Sequence, residues 1–119
     1  DFIESPGDFD IYRAGWNSEY LDPENWHNVL WFSKEDFLRS GWSNAEYDSL
    51  VERADVIADQ QLRRETYAEA QAILDAESPG IPIAERGTAY LIQPYVTGVW
   101  ASPLGGYLVF DDTVVERPE

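Results

Sequence analysis

The stretch Ser43–Glu77, SNAEYDSLVERADVIADQQLRRETYAEAQAILDAE, decides the fold because it contains two amphipathic helical patterns in succession. In its first half, apolar residues recur at helical spacing at Tyr47, Leu50, Val51, Ala54, Ile57 and Ala58. In its second half, the corresponding stripe is Leu62, Thr66, Tyr67, Ala70, Ile73 and Leu74. Almost no linker separates the two patterns, so they predict an antiparallel helix hairpin.

Local signals predict where these helices begin and end. Ser43-Asn44-Ala45-Glu46 matches a capping box, in which a hydroxyl and a carboxylate satisfy free backbone N–H groups at a helix start. Asp59 is expected to cap the second helix. Ser78-Pro79-Gly80 is expected to end it, because proline and glycine favour helix termination.

The residues before the hairpin predict a strand and a short helix. Phe9–Trp16 is rich in strand-forming residues and is predicted to be a strand. Asp22-Pro23 is typical of a helix start, since Asp22 can accept a backbone N–H and Pro23 suits the first turn. A helix over 25–31 would direct Trp26, Val29 and Leu30 to a core, and 33–40 could add a helical turn.

The last third of the chain favours β-structure. Strands are predicted over 81–84, 88–92 and 107–110, with prolines and glycines between them. The acidic tail after Asp111 is expected to be a loose strand. The predicted fold class is therefore α/β (mixed α+β), with a central antiparallel helix hairpin flanked by β-strands.

Composition excludes several function classes. The chain has 119 residues, which is one domain segment, and 23 acidic residues against 8 basic ones give a net charge of −15. That charge disfavours nucleic acid and anionic membranes as partners. The absence of cysteine excludes disulfides, thiolate zinc sites and a cysteine nucleophile. The absence of methionine, even at position 1, indicates an excised segment.

No residue stands out as catalytic or metal-binding. His27 is the only histidine, and no activated serine lies near it, so a structural or exposed role is expected. Asp8-Phe9-Asp10 and Asp22-Pro23-Glu24 place acids close together, but neither continues into a calcium-binding loop. Calcium stays an alternative at these positions. We predict no catalytic residue, no metal site and no cofactor.

The segment Gly15–Pro23 is the best candidate for a ligand site. It connects the predicted strand to the predicted helix, and ligand groups often collect on such loops. Trp16 and Tyr20 offer flat aromatic surfaces, and Glu19 lies between them. This set suits an ammonium group with an apolar neighbour. The alternative is that both rings fill the core and Glu19 is solvated.

Four stretches in this order resemble the C-terminal part of the extracellular solute-binding proteins of family 5, which include the oligopeptide- and dipeptide-binding proteins of ABC importers. They are Asp10–Trp16 running on to Asp22–Asn25, Gly41–Leu50, Asp59 with Arg63, Arg64 and Tyr67–Leu74, and Pro79–Ile83 with Pro94–Gly98. Together they cover nearly the whole chain.

The resemblance implies a segment of the second lobe of a class II periplasmic-binding-protein-like fold. Residues 101–119 would return towards a missing first lobe. It also implies capture of a short peptide between two lobes, delivery to a membrane permease, no enzymatic activity, and a periplasmic or extracellular location, with a lipid anchor in some members. An excised lobe would be expected to self-associate.

The resemblance also assigns residues. Glu19 stands where peptide-binding members carry an acid that pairs with the peptide's N-terminal ammonium, and Trp16 matches a tryptophan bordering the pocket. The usual acid is aspartate, so Glu19 is a departure that is longer by one methylene. Arg63 and Arg64 are expected to lie on the polar side of the second helix and to pair with nearby acids in a structural role, since exposed pairs contribute little.

Two other hypotheses stay open. The same scaffold could bind a different solute, such as an oligosaccharide, a nickel chelate or an opine, because fold does not fix the ligand. The chain could instead be a stand-alone acidic protein-interaction domain.

Overall fold

A computed structural model describes residues 11–104 and 106–117, and it shows a mixture of helices and short strands. The coarse fold class predicted from the sequence is therefore confirmed. Contacts divide the chain into a first unit that ends at Ile81 and a second that begins at Pro82. The predicted strand over 9–16 begins outside the described residues, and its described part, 11–16, is not a strand.

The first unit contains three helices: α1 (Glu24–Trp31), α2 (Ala45–Val56) and α3 (Gln60–Glu77). Asp59 caps α3, since its side chain accepts hydrogen bonds from the backbone N–H groups of Gln61 and Leu62. The helix ends at Glu77, and its C-cap Ser78 adopts the left-handed conformation with φ of 48°. Both of these predicted helix ends are confirmed.

The start of α2 differs from the predicted capping box. Asn44, not Ser43, is the N-cap, and its side-chain oxygen accepts from the backbone N–H groups of Glu46 and Tyr47 at 2.9 and 3.0 Å. The same side chain donates to Glu77 Oε1 at 2.6 Å. Asn44 thus makes a contact with the end of α3 in addition to capping α2. Ser43, one residue earlier, makes no such contact in the described part of the chain.

Helices α2 and α3 form the predicted antiparallel hairpin. Asn44 at the start of α2 meets Glu77 at the end of α3, while the carbonyl of Ala54 accepts from Arg63 Nε near the start of α3 at 3.1 Å. Between these ends lies the core, formed by Tyr47, Leu50, Val51, Ala70 and Leu74.

Three apolar residues of the predicted core-facing stripes are exposed: Trp26, Ala58 and Leu62. The side chains of Trp26 and Leu62 are 44% and 52% accessible, whereas Leu30 is buried as predicted. The segment 33–40 forms turns rather than a helical turn. There the carboxylate of Asp36 accepts from the backbone N–H groups of Ser40 and Gly41, which competes with helix formation.

The second unit contains two small antiparallel ladders. Strand β1 (Val96–Thr97) pairs with β4 (Val114–Val115), and β2 (Trp100–Ala101) pairs with β3 (Leu108–Val109). The predicted strand over 107–110 is thus confirmed in a shorter form. Gly98 follows β1 with φ of +73°, and a Cβ there would lie 2.0 Å from the carbonyl oxygen of Asp112. Only glycine allows this close approach.

The strands predicted over 81–84 and 88–92 are not formed. Ile81, Ile83 and Leu91 have exposed fractions of 85%, 81% and 97%. A strand needs a hydrogen-bonded neighbour, and a β-forming composition alone does not supply one. Within the described residues, we find no helix with the length and apolar character needed to cross a membrane.

Candidate functional site

The candidate site is the loop from Trp16 to Pro23, which leads directly into α1. Near its end the backbone N–H of Asp22 donates to the carbonyl of Tyr20 at 3.1 Å, which closes a tight turn. The side-chain oxygen of Asn25, in the first turn of α1, accepts from Trp16 Nε1 and from the backbone N–H of Glu19, both at 3.0 Å. Asn25 therefore joins two of the three predicted ligand residues.

Trp16 is half-buried rather than fully within a core. Its ring meets Phe37 edge-to-face, with 4.8 Å between the ring centroids. Its indole N–H is satisfied by Asn25, so the polar edge of the ring faces protein. The ring is thus fixed on two sides while part of its surface stays accessible. This arrangement is compatible both with binding a ligand and with packing in a core.

Glu19 is exposed, and within residues 11–104 and 106–117 its carboxylate makes no hydrogen bond or ion pair. Only its backbone is fixed, through Asn25. The charge therefore remains available to a ligand. Its predicted pairing with an ammonium group stays a prediction.

Tyr20 differs from the simple picture of a free aromatic surface. Its hydroxyl donates to Glu24 Oε2, and this hydrogen bond raises the pKa of Tyr20. The ring is 38% exposed. Tyr20 can offer its face to a ligand, but its hydroxyl is already engaged within the loop.

The exposure of Trp26 follows from a hydrogen bond that its side chain makes to the loop. Its Nε1 donates to Ser18 Oγ at 2.6 Å, so this side chain covers the loop instead of entering the hairpin core. Its apolar character at helical spacing predicted a core residue, but the indole N–H gives tryptophan a second option at a surface. Neither Asn25 nor the Ser18–Trp26 pair was assigned a role from the sequence.

The end of the loop is anchored to the helix hairpin by an ion pair. Asp22 accepts two hydrogen bonds from the guanidinium of Arg63, at 2.5 and 2.8 Å, and also accepts from the backbone N–H of Glu24 at 2.9 Å. The Arg63 hydrogen bond is the largest of the effects that lower the pKa of Asp22. As predicted, Asp22 accepts a backbone N–H at the start of α1.

Arg63 pairs with an acid, as predicted, but the pair is partly buried rather than exposed. The side chains of Arg63 and Asp22 are only 14% and 34% exposed. Arg64, in contrast, is exposed and hydrogen-bonds to Gln61. Arg63 also donates to the carbonyl of Ala54, so it joins the loop to both helices of the hairpin. Spacing along α3 indicated its polarity but not its partner, which lies 41 residues away.

A buried polar cluster lies on the other face of α1. His27 is 8% exposed, its ring stacks on Tyr67 with 5.0 Å between centroids, and its Nδ1 lies 3.1 Å from the hydroxyl of Tyr47. The Tyr47 hydroxyl donates to the His27 carbonyl at 2.9 Å. Burial lowers the pKa of His27 to about 4. The imidazole is thus neutral at pH 7 and structural, as one of the two predicted options states.

No arrangement of metal ligands is present in the described part of the chain: no group of three or more histidine, cysteine, aspartate or glutamate side chains converges there. Asp8 and Asp10 lie outside the described residues. The second acidic pair, Asp22 and Glu24, is divided between two partners, Arg63 and Tyr20. Asp22 thus acts in the structure as an anchor and as a partial helix cap.

Comparison with known proteins finds relatives of this chain among periplasmic and peptide-binding proteins. A dipeptide-binding protein of Pseudomonas aeruginosa is 35% identical over 99 residues, which are 82% of this chain and 19% of that protein. The periplasmic oligopeptide-binding protein OppA of Salmonella typhimurium is 32% identical over 92 residues, 77% of this chain and 17% of OppA. YgiS of Escherichia coli, a periplasmic protein named for deoxycholate binding, is 35% identical over 92 residues, with the same shares.

No protein-family model matches the chain. The matches nevertheless confirm the resemblance to family 5 solute-binding proteins, and the chain corresponds to a segment of such periplasmic binding proteins. It spans less than a fifth of the length of these relatives. Their names describe binding proteins rather than enzymes.

Proposed function

We propose that this chain is a segment of the substrate-binding component of an ABC importer and that it captures short peptides without acting as an enzyme. The observation that carries the proposal is the exposed Glu19 carboxylate on a loop whose backbone is fixed by Asn25. Two of the relatives reported above are named for dipeptide and oligopeptide binding, which supports a peptide over the other solutes considered.

The proposed recognition begins at the peptide's N-terminal ammonium group. A carboxylate and an ammonium form a charge-assisted hydrogen bond, which strengthens when a closing cleft excludes water. The rings of Trp16 and Tyr20, which precede and follow Glu19 along the chain, would attract the same cation and cover the adjacent apolar carbon atoms. The rest of the peptide would be bound through its backbone, as an added strand is, so that many side chains are accepted.

The proposal includes the parts of the protein that this chain does not contain. The chain would form one wall of a cleft in the second lobe of a class II fold, in one domain segment with 101–119 returning to the first lobe. Exposed apolar residues such as Ile83, Leu91 and Trp100 support burial against further parts of the protein or, in the excised chain, self-association. A periplasmic location and a permease partner follow from the same assignment.

A second candidate is a solute without an amine on the same scaffold. The relative YgiS is named for deoxycholate binding, which favours this option specifically. Such a ligand would rely on the exposed parts of Trp16 and Tyr20 and would gain nothing from Glu19.

The experiment is a calorimetric titration of the complete protein that contains this chain with short peptides, either free or N-acetylated. Free peptides are expected to bind, and acetylation is expected to abolish binding. Glu19→Gln should weaken binding of free peptides about ten- to a hundredfold, because a hydrogen bond to a charged group contributes roughly 1.5–3 kcal/mol. Glu35→Gln is the matched control, since Glu35 is also exposed and its side chain has no partner in the described residues.

Each other outcome is informative. Peptide binding that ignores acetylation would remove Glu19 from its proposed role. Failure of all peptides to bind, followed by binding of deoxycholate, would replace peptide capture by the second candidate. Binding of neither would contradict both.

A further inference from the structure

We propose that Asn25 is the positioning residue of this site: its side-chain oxygen holds the Trp16 ring and the Glu19 backbone in one arrangement and thereby sets the preference for ligands with a free amine. The inference rests on the proposed function of Glu19 and deepens it. It concerns a residue that does not itself need to touch the ligand.

The geometry of the contact supports this role. A carboxamide oxygen has two lone pairs, and that of Asn25 accepts two N–H groups at 3.0 Å, from residues nine and six positions earlier in the chain. Asn25 lies within α1 and has no exposed surface. The two donors are therefore bonded to an acceptor that is fixed by a helix and shielded from water.

Burying an asparagine at position 25 is unfavourable for the stability of the fold, which indicates that its side-chain oxygen has a role. Its Nδ2 is buried and makes no hydrogen bond of good geometry among the described residues, although an interaction with the Tyr20 hydroxyl acts to lower the pKa of Tyr20. An unsatisfied buried donor costs roughly 1–3 kcal/mol, and asparagine is also a poorer helix former than leucine or alanine. An apolar residue would avoid both costs but would leave the Trp16 and Glu19 N–H groups unbonded.

Fixing these two groups affects the ligand through the position of Glu19. The carboxylate makes no hydrogen bond or ion pair of its own in the described residues, so its location depends on the backbone that Asn25 holds. The second contact of Trp16, with Phe37 at 4.8 Å, restrains the ring but not Glu19. Loss of the Asn25 oxygen would free the carboxylate to move, and binding would then have to order it again.

The test compares two buried asparagines of α1 in the complete protein. Asn25→Ala removes the acceptor, and Asn25→Asp retains an oxygen at the same place. Asn28→Ala is the matched control, because Asn28 is also buried but bonds Asp55 and Tyr67 instead of the loop. The measured quantity is the ratio of affinities for a free peptide and its N-acetylated form.

Asn25→Ala should lower this ratio about tenfold, since small misplacements of a positioned group have effects of this size or larger. Asn25→Asp should keep most of the wild-type affinity ratio. Asn28→Ala should leave the affinity ratio unchanged within about twofold, even if this substitution lowers the stability of the protein. If Asn25 only stabilised the fold, Asn25→Ala and Asn28→Ala would change the affinity ratio to the same extent.

Hydrogen exchange of the Trp16 indole N–H and the Glu19 amide, measured without ligand, separates this inference from the proposed function. Both protons should exchange faster in Asn25→Ala and not in Asn28→Ala. If the wild-type protein binds peptides without a preference for the free amine, the proposed role of Glu19 fails, and hydrogen exchange alone decides the positioning role of Asn25. Unchanged protection in Asn25→Ala, or an unchanged affinity ratio in a protein that does prefer free peptides, would overturn the inference.

Discussion

His27 shows at the residue scale how burial defines a side chain's chemistry. Its ring lies against Tyr67 and next to the Tyr47 hydroxyl, and desolvation lowers its pKa to about 4. In the unfolded chain the ordinary pKa is about 6.5. Between these two values the unfolded state binds more protons than the folded state, so stability must fall as the pH is lowered through this window.

We therefore expect the wild-type protein to lose about 3 kcal/mol more unfolding free energy between pH 7 and pH 4 than the variant His27→Gln, which cannot titrate there. Urea unfolding of both proteins at several pH values measures this difference. Carboxylates titrate in both proteins and cancel. Parallel stability curves would show that His27 is not buried in its neutral form.

At the scale of single elements, the start of α2 offers two neighbouring residues, Ser43 and Asn44, as its N-cap. The sequence pattern favours Ser43 as the cap, whereas the structure assigns the cap to Asn44, whose side chain bonds two backbone N–H groups and Glu77. The two residues are adjacent, so they form a matched pair for mutation.

Asn44→Ala should lower the unfolding free energy by about 1–2 kcal/mol, because it removes an N-cap and a contact with the end of α3. Ser43→Ala should change it by less than about 0.5 kcal/mol, as is usual for exposed positions without partners. Thermal or chemical unfolding measures both variants. The reverse order would restore the capping box and contradict the assignment of the N-cap.

At the scale of the whole molecule, Arg63 and Asp22 connect the candidate site to the hairpin across 41 residues of sequence. Arg53 and Glu69 form a second pair, at 3.0 Å, which joins α2 and α3 but is exposed, with side chains 55% and 63% accessible. Both pairs join an arginine to a carboxylate, but the Asp22–Arg63 pair is less exposed to solvent. Burial should decide their energies, because water screens exposed charges.

A double-mutant cycle with alanine at Asp22 and Arg63 should give a coupling free energy of about 1 kcal/mol or more, reflecting two charge-assisted hydrogen bonds. The cycle at Arg53 and Glu69 should give about 0–0.5 kcal/mol. Chemical unfolding of the single and double variants of the complete protein supplies both values. Equal couplings would mean that the partial burial of Asp22 and Arg63 has no energetic consequence.

Parts of the fold that depend on local chemistry were predictable. Periodicity located α2 and α3, and Asp59 marked the start of α3, because helical hydrogen bonds connect residues only four positions apart. The strands over 81–84 and 88–92 were predicted wrongly, since pairing depends on neighbours that composition does not reveal. Of the candidate site, Trp16, Glu19 and Tyr20 could be nominated as residues with suitable chemistry, but their roles remain predictions.

The sequence by itself thus determined the helix hairpin, its antiparallel arrangement and the likeness to peptide-binding proteins, because these follow from short-range periodicity and from motifs read along the chain. Only the tertiary structure decided that Asn25 joins Trp16 to Glu19, that Trp26 covers the loop, and that Arg63 anchors Asp22. Each of these contacts joins residues from six to 41 positions apart. Their partners are selected by how the packed helices and the loop meet, which no local pattern encodes.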